Sequence, residues 1–156
     1  MKIYKSFQIM WILVIIFIPI MILLLYLHVM KIGNNPAPTI MVIIIEGILM
    51  FCLLLFIRLK TAITDHEIKL SFGIGLINKR IKLADVESTR VVRNKWYYGL
   101  GIKMIPHGWL WNAHGLGAVE LTFKNRDDII RIGSPESDVL KDEIDKRLIN
   151  EKIPLH

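Results

Sequence analysis

Two long apolar runs near the N-terminus constrain this 156-residue chain more than any other feature. The first, Ile9 to Met30, contains no Asp, Glu, Lys or Arg, and the second, Ile40 to Ile57, contains one charged residue, Glu46. At about 1.5 Å per residue, a helix over the first run would be roughly 33 Å long, enough for a hydrocarbon core of about 30 Å. The runs therefore predict two transmembrane helices, about 9–30 and 40–57, joined by a turn rich in Pro, Gly and Asn.

Charged residues are distributed unevenly between the part of the chain that holds the apolar runs and the rest of the chain. Residues 1–60 hold only six charged residues, although 22% of the whole sequence is charged. This division excludes a single water-soluble globule, and it excludes a disordered chain because disorder requires low hydrophobicity. It predicts a transmembrane helical hairpin over 1–60 and a separate polar domain over 61–156. The single cysteine, Cys52, excludes an intrachain disulfide bond.

The basic residues that flank the two runs predict the orientation of the hairpin. The loop between the runs carries only Lys31, whereas the other side carries five basic residues: Lys2, Lys5, Arg58, Lys60 and Lys69. Because basic residues concentrate on the cytoplasmic side, we expect a multi-pass integral membrane protein with both termini in the cytoplasm. The opposite orientation is the alternative. The first run exceeds the roughly 7–15 apolar residues of a signal peptide, which predicts that it is not cleaved.

Glu46 is the one acidic residue within the runs, where a carboxylate costs on the order of 2.5–3.5 kcal/mol. Folding the hairpin about its loop brings Glu46 near the level of Tyr26 and His28, and either side chain could hydrogen-bond the carboxyl group. One interpretation is an intramembrane proton or ion site. The other is a polar contact between the two helices or between copies of the protein. Two helices alone cannot enclose a pore, which favours the second interpretation.

Period-two alternation after the second run predicts about seven antiparallel strands. Their approximate ranges are 57–63, 68–72, 80–83, 86–92, 102–105, 119–123 and 129–132. Ser134 and Pro135 are typical of the start of a helix, and Leu140, Ile144 and Leu148 recur every four residues after them. This pattern predicts a C-terminal helix, about 136–149, that packs on the sheet of a small barrel or sandwich.

This order of elements resembles a pleckstrin-homology-like (PH-like) fold. The stretches Arg93–Ile102, Pro106–Asn112 and Gly117–Leu121 are similar to those of small bacterial membrane proteins with two N-terminal spans and a bacterial PH-like domain. The resemblance covers essentially the whole chain. It implies an α-helical transmembrane hairpin followed by a mostly-β PH-like domain, located in a bacterial cell membrane. It also implies binding or scaffolding rather than catalysis.

A basic segment and a group of aromatic residues are the candidate contact surfaces of the domain. Residues 79–103 carry seven basic side chains against Asp85 and Glu87, and five aromatic residues lie within 96–111. A basic patch on a tethered domain is typical of contact with anionic lipid headgroups, although a solvated sheet face has the same pattern. The aromatic residues are interpreted as a recognition groove, as an interfacial belt or, in preference, as part of the core. The candidate contact residues are Arg93, Lys95, Trp96 and Trp109.

Other functional classes lack a supporting motif. His107 and His114 with Glu120 match no metal-ligand spacing, and Gly99 and Gly101 lack the third glycine of a dinucleotide fingerprint. We therefore expect no enzyme, no cofactor and no metal. The polar domain carries 15 basic and 13 acidic residues, a balance that does not favour nucleic acid.

The sequence thus predicts a membrane-anchored binding or scaffold module at the cytoplasmic face of the inner membrane. It would engage a protein, a peptide or anionic lipid, with a protein partner or a second copy of the chain expected. The alternative is a small accessory subunit of a transporter or channel that uses the intramembrane Glu46.

Overall fold

The computed structural model describes residues 3–33 and 37–152, so Lys2 and the middle of the predicted turn lie outside the described residues. Helix α1 comprises Trp11–Val29 and helix α2 comprises Thr39–Phe56, close to the predicted spans. The two helices contact each other, and both are long and apolar enough to cross a membrane. Leu53 is the one buried residue within them. Their remaining apolar surface faces outward, as expected for helices whose solvent is lipid.

The first sheet contains a strand that the sequence did not predict. Its four antiparallel strands, in spatial order, are β1 (Tyr4–Ile9), β2 (Arg58–Ile63), β3 (Glu67–Phe72) and β4 (Ile77–Lys82). Strand β1 precedes α1 and pairs with β2 along its whole length. The side chains of β1 that point inward include Ser6 and Gln8, whereas Phe7 and Ile9 are exposed. The alternation is therefore reversed relative to that of an ordinary half-buried strand, which is why it gave no strand signal.

The second sheet has five strands: β5 (Val86–Arg93), β6 (Gly101–Ile105), β7 (Gly108–Asn112), β8 (Gly117–Phe123) and β9 (Arg126–Gly133). Their spatial order is β5-β8-β9-β7-β6, and β7 pairs with β9 in parallel. The prediction of about seven strands, all antiparallel, is therefore wrong, because the described residues form nine strands with one parallel pair. Strand β7 was missed because Leu110, Trp111 and Asn112 are all buried, which leaves no alternation to detect.

The predicted C-terminal helix is confirmed as α3, Ser137–Lys152. The Ser134 hydroxyl accepts a hydrogen bond from the Glu136 backbone N–H at 3.1 Å, in the manner of a helix cap. Leu140, Ile144 and Leu148 are buried, and α3 contacts β5 and β8. The apolar stripe therefore closes the core as its spacing predicts.

One hydrophobic core is shared by both sheets and α3, and it extends to the base of the helical hairpin. The Phe72 ring lies 5.8 Å from the Trp111 ring and 5.9 Å from the Phe56 ring at the end of α2 (centroid distances). Only Met10 separates β1 from α1, and only Ile57 separates α2 from β2. The Met10 N–H donates to the Ile57 carbonyl at 2.8 Å, so the hairpin leaves the domain directly from paired strands.

This connection gives the domain two distinguishable ends. The hairpin end includes Ile9 and Arg58, which are paired directly below the helices, and the β3–β4 turn at 73–76. The far end includes the turns around His66 and Asp85, where the Leu83 N–H donates to the His66 carbonyl at 2.9 Å. Residue 125, in the β8–β9 turn, lies with the far end, because Lys124 donates a backbone hydrogen bond to Asp85 at 3.0 Å.

Candidate functional site

The most exposed aromatic residue of the domain lies in the connection between β5 and β6. Trp96, Tyr97 and Tyr98 form a single 3₁₀ turn, and Trp96 is 81% exposed. Edge-to-face ring contacts join Trp96 to Tyr97 (6.0 Å) and Tyr97 to Tyr98 (5.1 Å). Such contacts order aromatic side chains that would otherwise be mobile at a surface. The turn therefore presents a large, ordered amphipathic surface to the exterior.

A lysine accompanies this aromatic turn. The Lys95 ammonium lies 5.6 Å from the centroid of the Tyr97 ring, within the range of a cation–π contact. A side-chain hydrogen bond with Tyr97, followed by the charge interactions with Tyr97 and Tyr98, raises the pKa of Lys95 above its ordinary value. Lys95 is therefore cationic throughout the physiological range. Arg93, at the end of β5, adds a second exposed cation two residues away.

The aromatic turn lies at the hairpin end of the second sheet. The Asn94 N–H donates to the Leu116 carbonyl at 2.7 Å, in the loop between β7 and β8. The same loop contributes His114 to a surface groove that Ile9 and Trp11 also line, next to the start of α1. The segment between β5 and β6 ends at Gly101, the first residue of β6, which pairs with Asn112 at the end of β7. Both ends of the connection are thus on the side of the domain from which the helices leave.

The fourth candidate residue lies elsewhere. Trp109 is at the opposite end of β7, where it faces Met104 across the β6–β7 hairpin. Met104 is 77% exposed and Trp109 is 41% exposed. The structure therefore brings Arg93, Lys95 and Trp96 together in one short segment and separates Trp109 from them.

The aromatic residues do not share one role. Trp111 is buried and packs on Phe72, so it is part of the core. Trp96 and Tyr97 are exposed, and the preferred expectation that the aromatic group fills the core holds for Trp111 alone among these three. Apolar alternation does not identify Trp111 as a core residue, because its neighbour Leu110 is also buried, on the other face of the sheet.

One part of the basic segment is neutralised within the domain. The Glu120 carboxylate is buried and accepts hydrogen bonds from Arg90 at 2.7 Å and from Arg131 at 2.8 Å. Burial by itself raises the pKa of Glu120, but the hydrogen bonds and positive charges of Arg131 and Arg90 outweigh it and hold that pKa below its ordinary value. Arg131 also reaches Asn94 at 3.4 Å, which ties this ion network to the start of the aromatic turn. Arg90 is therefore a structural partner of Glu120.

A row of basic residues that the sequence pattern does not reveal lies on the outer face of the first sheet. Lys5 of β1, Lys69 of β3 and Arg80 of β4 lie in one cross-strand row, each on the side opposite the core. Lys60 adds a further charge and lies 5.7 Å from the Phe7 ring centroid. Each strand showed its own alternation in the sequence, but the row emerges only from the pairing register, which a single sequence does not contain.

The three residues predicted to form an intramembrane polar site, Glu46, Tyr26 and His28, are not equivalent. Glu46 and His28 line the same groove between α1 and α2. Glu46 Oε1 and His28 Nδ1 are buried and have no hydrogen-bond partner among the described residues. Tyr26 is 52% exposed on the outer surface of α1 and does not line that groove.

No group of three or more His, Cys, Asp or Glu side chains within residues 3–33 and 37–152 is arranged to hold a metal ion. His107 occupies the β6–β7 turn with a φ of 68°, and Glu120 is committed to its two arginines. In comparisons with known proteins, no family model, no curated protein and no solved structure matches the chain.

Proposed function

We propose that this chain is a membrane-anchored binding module. In this proposal α1 and α2 cross the cell membrane of a bacterium, and the domain, with a PH-like fold, lies at the cytoplasmic face. There its aromatic turn engages anionic lipid headgroups, while a protein or peptide is the alternative ligand. The single observation that carries the proposal is the position of Arg93, Lys95 and Trp96 at the hairpin end, with Trp96 81% exposed.

The PH-like fold is supported by the layout of the domain. Two sheets share one core, and a C-terminal helix packs against it, the arrangement that the resemblance implies. Strand β1 and the parallel pairing of β7 with β9 are departures from the simple antiparallel scheme. The feature that the domain shares with the implied fold is a pair of sheets closed by a terminal helix.

The orientation is supported by the charges around the hairpin. Lys5, Arg58 and Lys60 lie on β1 and β2, from which the helices leave, whereas the other end of the hairpin carries Lys31. Basic residues accumulate on the cytoplasmic side of membrane proteins. Of these charges, Arg58 is paired directly below the helices and lies closest to the anionic surface of that leaflet, which attracts a cation there by about 1 kcal/mol.

The contribution of Arg93 and Lys95 to membrane affinity follows from the same value of about 1 kcal/mol per basic residue. Arg93 and Lys95 together supply about 2 kcal/mol of attraction to an anionic surface, which is roughly a 30-fold change in local occupancy. Trp96 adds an indole, the side chain that is enriched at the level of lipid headgroups. Because the domain is already tethered, even this modest energy is sufficient for persistent contact.

Hydrogen exchange on the full chain in lipid nanodiscs tests the proposal. We expect the amides of residues 94–100 to exchange more slowly in nanodiscs that contain phosphatidylserine than in pure phosphatidylcholine. The double substitution Arg93→Gln with Lys95→Gln should abolish the difference. The matched control removes two exposed charges at the far end, Lys82→Gln with Lys124→Gln, and should preserve it. Equal exchange in the two lipids for the unaltered chain would refute headgroup binding by this segment.

A second candidate function has its own supporting observation, the unpaired Glu46 and His28 in one groove of the hairpin. Glu46 and His28, which have no hydrogen-bond partner among the described residues, are suited to bind polar groups on a helix of another subunit. The chain would then be an accessory subunit of a transporter or channel. Crosslinking in native membranes should then capture a helical partner or a second copy. The substitution Glu46→Leu should abolish the crosslink without preventing insertion, whereas Ile43→Leu should leave it unchanged. An undiminished crosslink in the Glu46 variant would eliminate this function.

A further inference from the structure

The β3–β4 turn presents two large apolar side chains beside the base of the hairpin. Ile74 is 56% exposed and Leu76 is 64% exposed, although the flanking strand residues Phe72 and Ile77 are buried or half-buried. Exposed aliphatic residues at the tip of a short turn are unfavourable in water, where such turns are usually polar. An apolar environment outside the domain would bury both side chains.

The turn lies against the last turn of α2. A Cβ atom added to Gly73 would lie under 3.0 Å from the carbonyl oxygens of Leu54 and Leu55. Only a glycine allows the turn backbone to approach the helix so closely, and Gly73 also has a φ of 52°, which favours glycine. Leu55 is one residue before the end of α2, so the turn is level with the final residues of the helix.

The turn is held in this position by its own hydrogen bonds. The Gly73 N–H donates to the Arg58 carbonyl at 2.7 Å, and the Arg58 side chain donates from Nε to the Gly73 carbonyl at 3.2 Å. Asn78 donates from Nδ2 to the Gly75 carbonyl at 3.2 Å. The exposed side chains are therefore presented by an ordered element that is attached to the start of β2.

We infer that this turn inserts Ile74 and Leu76 into the interfacial layer of the bilayer that α1 and α2 cross. The occupant is the lipid itself, because the turn is continuous with the lipid-facing surface of α2 at Leu54, which is 40% exposed. Apolar side chains at the level of the last helical turn lie at the boundary between headgroups and acyl chains. The turn is then a third attachment of the domain to the membrane, in addition to the helical hairpin and the aromatic turn. It fixes which side of the domain faces the membrane.

This inference goes beyond headgroup binding and depends only on the membrane placement of the helices. Its test therefore uses uncharged phosphatidylcholine vesicles, in which the aromatic turn has no anionic ligand. The full chain carries Cys52→Ser and one added cysteine, Ile74→Cys or Leu76→Cys, labelled with an environment-sensitive fluorophore. The control label is placed at Asn125→Cys, an exposed turn at the far end, and circular dichroism verifies that each labelled chain is folded.

We expect lipids spin-labelled near the headgroup to quench both turn labels several-fold more than the Asn125 label. Aqueous iodide should quench the turn labels several-fold less than the Asn125 label. Strong iodide quenching at the turn would overturn the inference, because the turn would then be in water. Weak quenching by both agents would also overturn it, because protein rather than lipid would then cover the turn.

Discussion

Replacing Gly73 by alanine perturbs a position where the domain backbone lies close against the end of the helical hairpin. The added methyl group meets the Leu54 and Leu55 carbonyl oxygens, which are backbone atoms and cannot rotate away. The positive φ costs about 1–2 kcal/mol for alanine. Relief of the overlap must displace the turn and weaken its two hydrogen bonds with Arg58, each contributing about 0.5–1.5 kcal/mol. The expected loss of stability is thus about 2–5 kcal/mol.

Gly115→Ala is the matched control, because Gly115 has a φ of 72° and nothing within 4 Å of its added Cβ. This substitution should lower the stability only by the cost of the positive φ for alanine, about 1–2 kcal/mol. A difference of about 2 kcal/mol between the variants corresponds to roughly 8–16 °C in the unfolding temperature of a domain of this size. Thermal unfolding of the detergent-solubilised full chain, followed by near-ultraviolet circular dichroism, measures it. Equal unfolding temperatures for the two variants would refute the close approach of turn and helix.

Three further predictions concern the domain itself. Glu120→Gln should lower stability by about 1–3 kcal/mol at neutral pH. Because the pKa of Glu120 is depressed in the folded state, the carboxylate stabilises the fold at pH values above its ordinary pKa of 4.5. The difference in stability between the unaltered chain and the variant should therefore shrink as the pH falls below 4.5. Denaturant titrations across that pH range measure this difference. Leu140→Ala should cost about 2–5 kcal/mol, because Leu140 is fully buried in the core, and equilibrium unfolding checks the value. A fragment that begins at residue 61 should fail to fold, because it lacks β1 and half of β2, whereas a fusion of residues 3–10 to 57–152 through a short flexible linker should give a dispersed amide NMR spectrum.

The helices were predictable because their signals are local. The two apolar runs and the four-residue spacing of Leu140, Ile144 and Leu148 each require one element to bury one face, whatever the rest of the chain does. The observed ends of α1 and α2 lie within two residues of the predicted ones. The half-buried strands β2 and β3 were predictable for the same reason, since Leu59, Ile63, Ile68 and Leu70 alternate cleanly with exposed or half-buried neighbours.

The missed strands depend on tertiary contacts. Gln8 of β1 points inward because its amide donates to the Gly133 carbonyl of the other sheet, an interaction that apolar periodicity does not reveal. Strand β7 lies so close to β9 that a Cβ on Gly108 would overlap the Ile129 backbone. Its parallel register also buries Leu110, so the strand lost the alternation by which strands are recognised.

The candidate site was predictable in composition but not in geometry. The sequence placed Arg93, Lys95 and Trp96 within one short segment, and their proximity follows from chain continuity alone. It could not separate Trp109 from them or assign Trp111 to the core, because both assignments depend on the register of β7 against β6 and β9. It could not locate the aromatic turn at the hairpin end either, since this depends on the loop at 113–116 meeting the start of α1.

The most direct test of the account is the sidedness of the two ends of the molecule. In a Cys52→Ser background, Ala37→Cys marks the loop between α1 and α2, and Asn125→Cys marks the far end of the domain. A membrane-impermeant maleimide should label the Ala37 variant in intact cells, and should label the Asn125 variant only after the membrane is permeabilised. Labelling of both variants from the same side would contradict a hairpin that crosses the membrane, and the reverse pattern would contradict a cytoplasmic domain.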